Sequence, residues 1–409
     1  MPPTRTHTPM GELAYQHTQT LSVEFGPRPG GSPANRAAAK YIQDKLSNLG
    51  YRIETQPFEM QAWREIVLRL ESGRREFPAA ANIYSPSCRV TAPFVPICSL
   101  AELKAADLEG KIALLYGHLT KSPISPKAWF LISDWEKELI ALLEAGHPAA
   151  LITIQPRPGE IERVFEDAEF KIPSVVVSAE VGRELLLLPE NTPLELMIET
   201  VFEPGETANI IARKPGKQPE RIVLMAHFDT KPDTPGALDN ASGVGVLLAL
   251  AEKLAGTELN TTLELAAFAN EELLPIGDDE YLRRGEGYFP EILAAINFDG
   301  VGQRVATNSI TTIACSPEFE AQVYELAQEF SGVVRVDPWP QSNHSTFAWR
   351  GVPSLAFSSS GRFHNDHLRS DTIEWISPAK LDEVIGLVVA IVTSLQECTA
   401  GWTRSQSMG

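Results

Sequence analysis

The sequence predicts an α/β fold: a mixed, mostly parallel sheet with helices on both faces, plus an inserted, smaller, β-rich α/β domain. Three observations carry that expectation. From Arg221 onward short apolar runs alternate with helical patterns, the order that buries a parallel sheet between helices. At about 150 residues per domain, the 409-residue chain is long enough for two or three domains. Pro- and Gly-rich edges set residues 79–188 apart from 1–78 and 189–409, as domain boundaries often are.

Each element has a local reason. After the polar loop Gly26-Pro27-Arg28-Pro29-Gly30-Gly31-Ser32, apolar residues Ala38, Tyr41, Ile42, Leu46 and Leu49 recur at helical spacing. Gly50 then supplies a C-cap. Tyr51 to Phe58 alternates as a strand does. Within 79–188, the buried-strand candidates are Lys111 to Tyr116, Ala149 to Ile154 and Ile172 to Val177. A helix over Trp135 to Glu144 stops at Gly146. Beyond Arg221 the expected strands are Ile222 to Ala226, Leu263 to Phe268, Ala294 to Phe298 and Ser354 to Phe357. The expected helices are Gly243 to Leu254, Glu318 to Phe330 and Pro378 to Leu395.

Composition excludes several classes of function. With 43% hydrophobic and 22% charged residues the chain can bury enough apolar surface to offset its entropy, unlike disordered or collagen-like sequences. Its 35 basic and 53 acidic residues give a net charge of −18, a field that repels phosphate backbones, so no nucleic-acid partner is expected. The longest apolar stretch, Val384 to Leu395, is too short to span a bilayer and no membrane partner is expected. Met1 to His7 lacks the apolar segment of a signal peptide, which points to the cytoplasm. Of the cysteines, 88, 98, 315 and 398, only Cys88 and Cys98 are near enough in sequence to suggest a bridge; reduced thiols are the default. The sequence specifies no oligomeric state.

Chemistry concentrates just past the ends of the four predicted strands. The first runs into His227-Phe228-Asp229, and Asp239-Asn240 stands immediately before the next helix. The second ends in Glu271-Glu272 and the third in Asp299, while His364, Asp366, His367 and Asp371 follow the fourth. Each piece has a bland counterpart: a core histidine, a solvated Glu pair, a helix N-cap. Their common placement at strand carboxyl ends, where open α/β sheets bind ligands, outweighs those. Imidazole and carboxylate are both good zinc ligands. Two histidines and three carboxylates suffice for two metals if one carboxylate bridges, leaving a glutamate free to act as base. HExxH, GxSxG and P-loop motifs are all missing, and Gly243-Val244-Gly245 is an incomplete dinucleotide fingerprint.

These residues resemble the di-zinc aminopeptidase family that includes leucyl aminopeptidases, glutamate carboxypeptidase and glutaminyl cyclases. The matching stretches are Met225 to Asp229, Leu238 to Gly243, Phe268 to Glu272, Asn297 to Asp299 and His367 to Thr372, with Gly26-Pro27-Arg28 at the start. Residues 79–188 resemble the protease-associated domain that many members carry as an insertion. The resemblance implies the zinc-exopeptidase type of sheet and two zinc ions. His227, Asp239 and Asp299 would hold one ion, and Asp239, Glu272 and His367 the other. It further implies Glu271 as the general base acting on a metal-bound water, and Asp229 as the residue that orients His227. His367 is preferred to His364 because it alone has the family's spacing to Asp371-Thr372. The activity implied is that of an exopeptidase, first an aminopeptidase acting on peptides or small amides. The alternatives are a glutaminyl cyclase-like acyltransferase and a catalytically silent binding relative. Two departures stand out: the family's Ser-Asp-His is here Ser342-Asn343-His344, and the segment after Glu272 is Leu273-Leu274-Pro275-Ile276-Gly277.

Overall fold

The computed structural model describes residues 9–129 and 131–405; Met1 to His7, read above for a leader, lies outside the described residues. The chain divides into two compact units, residues 1–60 with 205–409 and residues 61–204. The expected insertion 79–188 lies inside the second unit, whose bounds fall instead within two long strands, β1 (Arg52–Ser72) and β2 (Pro193–Lys214). The alternation after Tyr51 was expected to end at Phe58; the strand continues to Ser72, so the sequence edge and the structural edge differ.

In the first unit the expected β-α alternation is present. The strands are β3 (Arg221–His227), β4 (Thr262–Phe268), β5 (Ile292–Phe298), β6 (Thr307–Ile313), β7 (Val333–Arg335) and β8 (Ser354–Ser360). The order β7-β6-β8-β5-β3-β4-β2 leaves a parallel centre, β4-β3-β5-β8, with antiparallel pairing at β4-β2 and β8-β6. A mixed, mostly parallel sheet is therefore the observed class.

Strand β3 shows why the sheet must be covered twice. Ile222, Leu224 and Ala226 join one core cluster, while Val223 and Met225, pointing oppositely, join another. On the first face pack α1 (Met10–Gln19), α2 (Pro33–Asn48), α3 (Ser242–Ala255) and α4 (Pro378–Ser394), through residues such as Ala14, Ile42, Leu247 and Leu387. Tyr281, Phe289 and Phe347 cover the other. Each fully buried Leu, Ile or Phe contributes roughly 1.5–3 kcal/mol. Close helix packing requires glycine at 245: a Cβ there would sit 2.4 Å from the Ala14 carbonyl oxygen. Among the described residues no helix is long and apolar enough to cross a membrane.

In the second unit the strands Cys88–Ile97, Ile112–Leu115, Ala150–Ile154 and Ser174–Val177 pair in parallel in that order. A helix over Asp134–Gly146 opens with a capping box between Ser133 and Glu136. Cys88 and Cys98 flank the strand Cys88–Ile97 at opposite ends, and all four cysteines are free. The extended backbone between the first two, at about 3.3 Å per residue, removes any possibility of a bridge.

Candidate metal centre

Four parallel strands deliver their next residues to one edge of the sheet. His227 is the last residue of β3, Glu271 and Glu272 follow β4, Asp299 follows β5, and His367 lies in the loop after β8. Asp239 stands in an irregular turn ahead of α3, with φ −118° and ψ 93°. Two non-glycine residues at these turns, Asn270 (φ 60°) and His367 (φ 63°), adopt the left-handed backbone region, a strain that often marks functional positions.

The side chains converge into two clusters sharing one carboxylate. Ligand atoms of His227, Asp239 and Asp299 all lie within 4.8 Å of one another, as do those of Asp239, Glu272 and His367. Asp239 Oδ1 is 3.2 Å from His227 Nε2, and its Oδ2 is 3.2 Å from His367 Nε2. Asp299 Oδ1 is 3.6 Å from His227 Nε2, and Glu272 Oε2 is 3.3 Å from His367 Nε2. Glu271 belongs to neither cluster; its Oε2 lies 4.0 Å from His227 Nε2, and its side chain is 23% exposed. His364, the competitor to His367, is exposed and in neither cluster.

The electrostatics are those of too many carboxylates for the protein's own cations. Burial pushes Glu271 well above the usual carboxylate range; His227 opposes this, while Asp299 and Glu272 reinforce it. Burial acts to lower both imidazoles, yet the surrounding carboxylates outweigh it and hold His227 and His367 well above the ordinary histidine value. Glu272 Oε1 is buried without a hydrogen-bond partner among the described residues. Imidazole nitrogens and carboxylate oxygens with this unbalanced negative charge suit divalent zinc, so the residues present fit that metal.

Backbone contacts explain how the centre is held. Asp229 is fully buried and its two oxygens accept from Glu271 N (3.0 Å) and Glu272 N (3.1 Å). It also lies 3.6 Å from His227 Nδ1, so it fixes the Glu271-Glu272 turn as well as flanking the imidazole. Asn240 caps α3 by accepting from Gly243 N at 3.0 Å, which leaves the neighbouring Asp239 carboxylate for the centre.

The sequence model of peptidase family M28 matches residues 209–392, the segment that carries every residue of both clusters. Aminopeptidase YwaD of Bacillus subtilis (strain 168) is 26% identical over 413 residues, covering 93% of this chain and 83% of its own length. The solved zinc aminopeptidase BSAP from Bacillus subtilis superposes with a TM-score of 0.79 at 23% identity, over 98% of this chain and 99% of that one. The aminopeptidase from Aneurinibacillus sp. strain AM-1 does so at 0.73 and 24%, over 98% and 95%. These two likenesses show the fold alone, which is that of those two aminopeptidases.

Several contacts that support the centre were not assigned by sequence reasoning. Arg28 is fully buried and donates to the carbonyls of Leu21, Gly26 and Pro235 (each 2.8 Å), Phe228 (2.9 Å) and Gly236 (3.1 Å). It thereby pins the loop running from His227 towards Asp239. Burial lowers its guanidinium to about 10, still protonated at neutral pH. Asp371 accepts from Leu238 N (2.8 Å) and Asp239 N (3.0 Å), so its place in the spacing argument has a structural cause. The departure at Asn343 also resolves: its Nδ2 donates to buried Asp278 Oδ2 at 2.8 Å, and Thr346 Oγ1 donates to Oδ1 at 2.8 Å. Asn343 is thus paired with a carboxylate just past the second departing segment, a contact between the two departures that neither stretch signals alone.

Proposed function

We propose that this chain is a zinc-dependent aminopeptidase that hydrolyses the N-terminal bond of peptides or small amides. Asp239 is the observation that carries the reading, because its two oxygens face different imidazoles, each at 3.2 Å. Two ions per chain fit that arrangement, one held by His227, Asp239 and Asp299 and the other by Asp239, Glu272 and His367. Bound zinc supplies Lewis acidity towards the scissile carbonyl and towards water.

The chain's own residues do the rest. Glu271 stands outside both ligand sets on the accessible side, where Oε2 accepts a proton from the attacking water and later returns it to the leaving amine. Asp229 keeps Glu271 and Glu272 in place through their amides, and Asp371 does the same for Asp239. Residues 79–188 we read as a protease-associated insertion, on the support of the parallel strand pairing within them.

Zinc content per chain, measured beside hydrolysis of aminoacyl amides before and after chelation, tests the proposal. About two zincs with chelator-sensitive release of the N-terminal residue is the expected result. Bound zinc with no release of any N-terminal residue, or cyclisation of N-terminal glutamine instead, would overturn it.

A further inference from the structure

One charged pair beside the metal centre has no role in the chemistry above. Arg362 and Asp366 sit in the loop after β8, Asp366 directly before His367. That loop is held firmly. Buried Gln303 donates through Nε2 to Phe363 O (2.7 Å) and Asn365 Oδ1 (3.1 Å), and its Oε1 accepts from Phe363 N (2.7 Å). Asn365 Nδ2 donates onward to Ser370 O at 3.0 Å, and the Phe363 ring stacks on Trp375 with centroids 4.8 Å apart. The point from which Arg362 emerges is therefore fixed.

From there its guanidinium lies against residues that adjoin His367 and Asp299 in sequence. Nη2 donates to Asp366 Oδ2 at 3.1 Å, beside the ligand-bearing turn of His367. Nη1 covers Gly300, the residue after Asp299, so closely that a Cβ on Gly300 would lie 3.2 Å from it. Gly300 itself has φ 71°, the left-handed region that favours glycine. The Arg362 side chain is 29% exposed, and among the described residues Nη1 and Nε donate to no protein acceptor.

We infer that Arg362 binds a carboxylate of the substrate, which makes it a specificity-determining residue for the aminopeptidase activity on which this inference rests. The acidic groups of the centre itself, Asp239, Glu271, Glu272 and Asp299, suit metal or an α-ammonium, not an anion. A guanidinium presents a planar fork that matches a carboxylate through two parallel hydrogen bonds. Asp366 takes one Nη2 hydrogen and so orients the guanidinium, leaving the second Nη2 hydrogen and the Nε or Nη1 donor beside it as the two-bond edge for substrate. The carboxylate has two sources: the C-terminus of a dipeptide, or an acidic side chain on the residue being released.

The test compares two substrate pairs on the zinc-loaded enzyme: Leu-Gly against Leu-glycinamide, and glutamyl against leucyl p-nitroanilide. Each is measured with the wild type, Arg362→Met and Arg362→Lys. Arg362→Met is expected to cut the kcat/KM ratio of one pair, carboxylate over neutral, by about 10- to 100-fold, the range for a hydrogen bond to a charged group. The loss should appear in KM, and Arg362→Lys should keep part of the preference through its charge. A shift in the first pair assigns the C-terminal carboxylate; a shift in the second assigns the side chain. Ratios unmoved in both pairs overturn the inference while leaving the aminopeptidase reading intact. A wild type that hydrolyses none of the four substrates overturns both.

Discussion

Both units carry parallel strands, and they place opposite chemistry just past the carboxyl ends of those strands. In residues 61–204 the strands Ile112–Leu115, Ala150–Ile154 and Ser174–Val177 lead into Tyr116, Gln155 and Ser178. The polar groups there are spent on the backbone: Thr120 Oγ1 donates to Ile154 O at 2.6 Å, and Ser178 caps the next helix. Tyr116, Ile154, Pro156 and Leu186 line an apolar hollow. In the other unit the equivalent positions are His227, Glu271-Glu272, Asp299 and, in the loop after β8, His367, whose charges cannot neutralise one another without a cation. The two edges differ in the residues at the strand ends rather than in the layers beneath them, so those residues are what assign chemistry.

Four experiments would break or sharpen that contrast, taken from the largest expected effect to the smallest. Glu271→Gln should lower kcat/KM by about 10²–10⁴-fold while zinc content, read by elemental analysis, stays at the wild-type value. Loss of zinc together with activity would make Glu271 a ligand instead of a base. Asp239→Ala should remove zinc from both positions and Asp299→Ala from one, so the metal-to-protein ratio of the two purified variants should differ. Equal ratios would deny that Asp239 is shared.

The third concerns stability. Burial pushes the Asp278 carboxyl up from 3.8 to about 7. The folded protein then holds this proton more tightly than the unfolded chain does. Its contribution is most favourable at low pH and declines as pH rises from about 4 to about 7, by up to about 4 kcal/mol. Asp278→Asn cannot ionise, so calorimetric Tm against pH should be flatter for the variant in that window; parallel curves would count against a buried, protonated Asp278. The smallest effect belongs to the other unit. Lys104 and Glu138 form an exposed pair at 2.6 Å, and Lys104→Ala should change stability by under about 1 kcal/mol, with kcat/KM unaltered.

Part of the centre could be read from sequence because His227 and Asp299 directly follow apolar runs, a strictly local signal, and Glu271-Glu272 follow shortly after a third. The choice between His364 and His367 was less local. Spacing alone favoured His367; the structure adds that His364 is turned to solvent. The bounds of the second unit were less legible still, because β1 and β2 each run through a boundary without a break in strand pattern.

The sequence by itself determined the β-α alternation, the parallel sheet buried on both faces and the set of side chains at its carboxyl edge. Hydrophobic period and chain connectivity are enough to impose these. Only the tertiary structure decided what supports them. Arg28 reaches carbonyls some 200 residues away at Phe228 and Pro235, Asp371 holds the amide of Asp239 from 132 residues away, and Asp278 meets Asn343 from 65. Such partners leave no periodic trace along the chain. A buried charge must find hydrogen bonds wherever the fold brings a donor or acceptor to it, and that place is set by packing rather than by sequence distance.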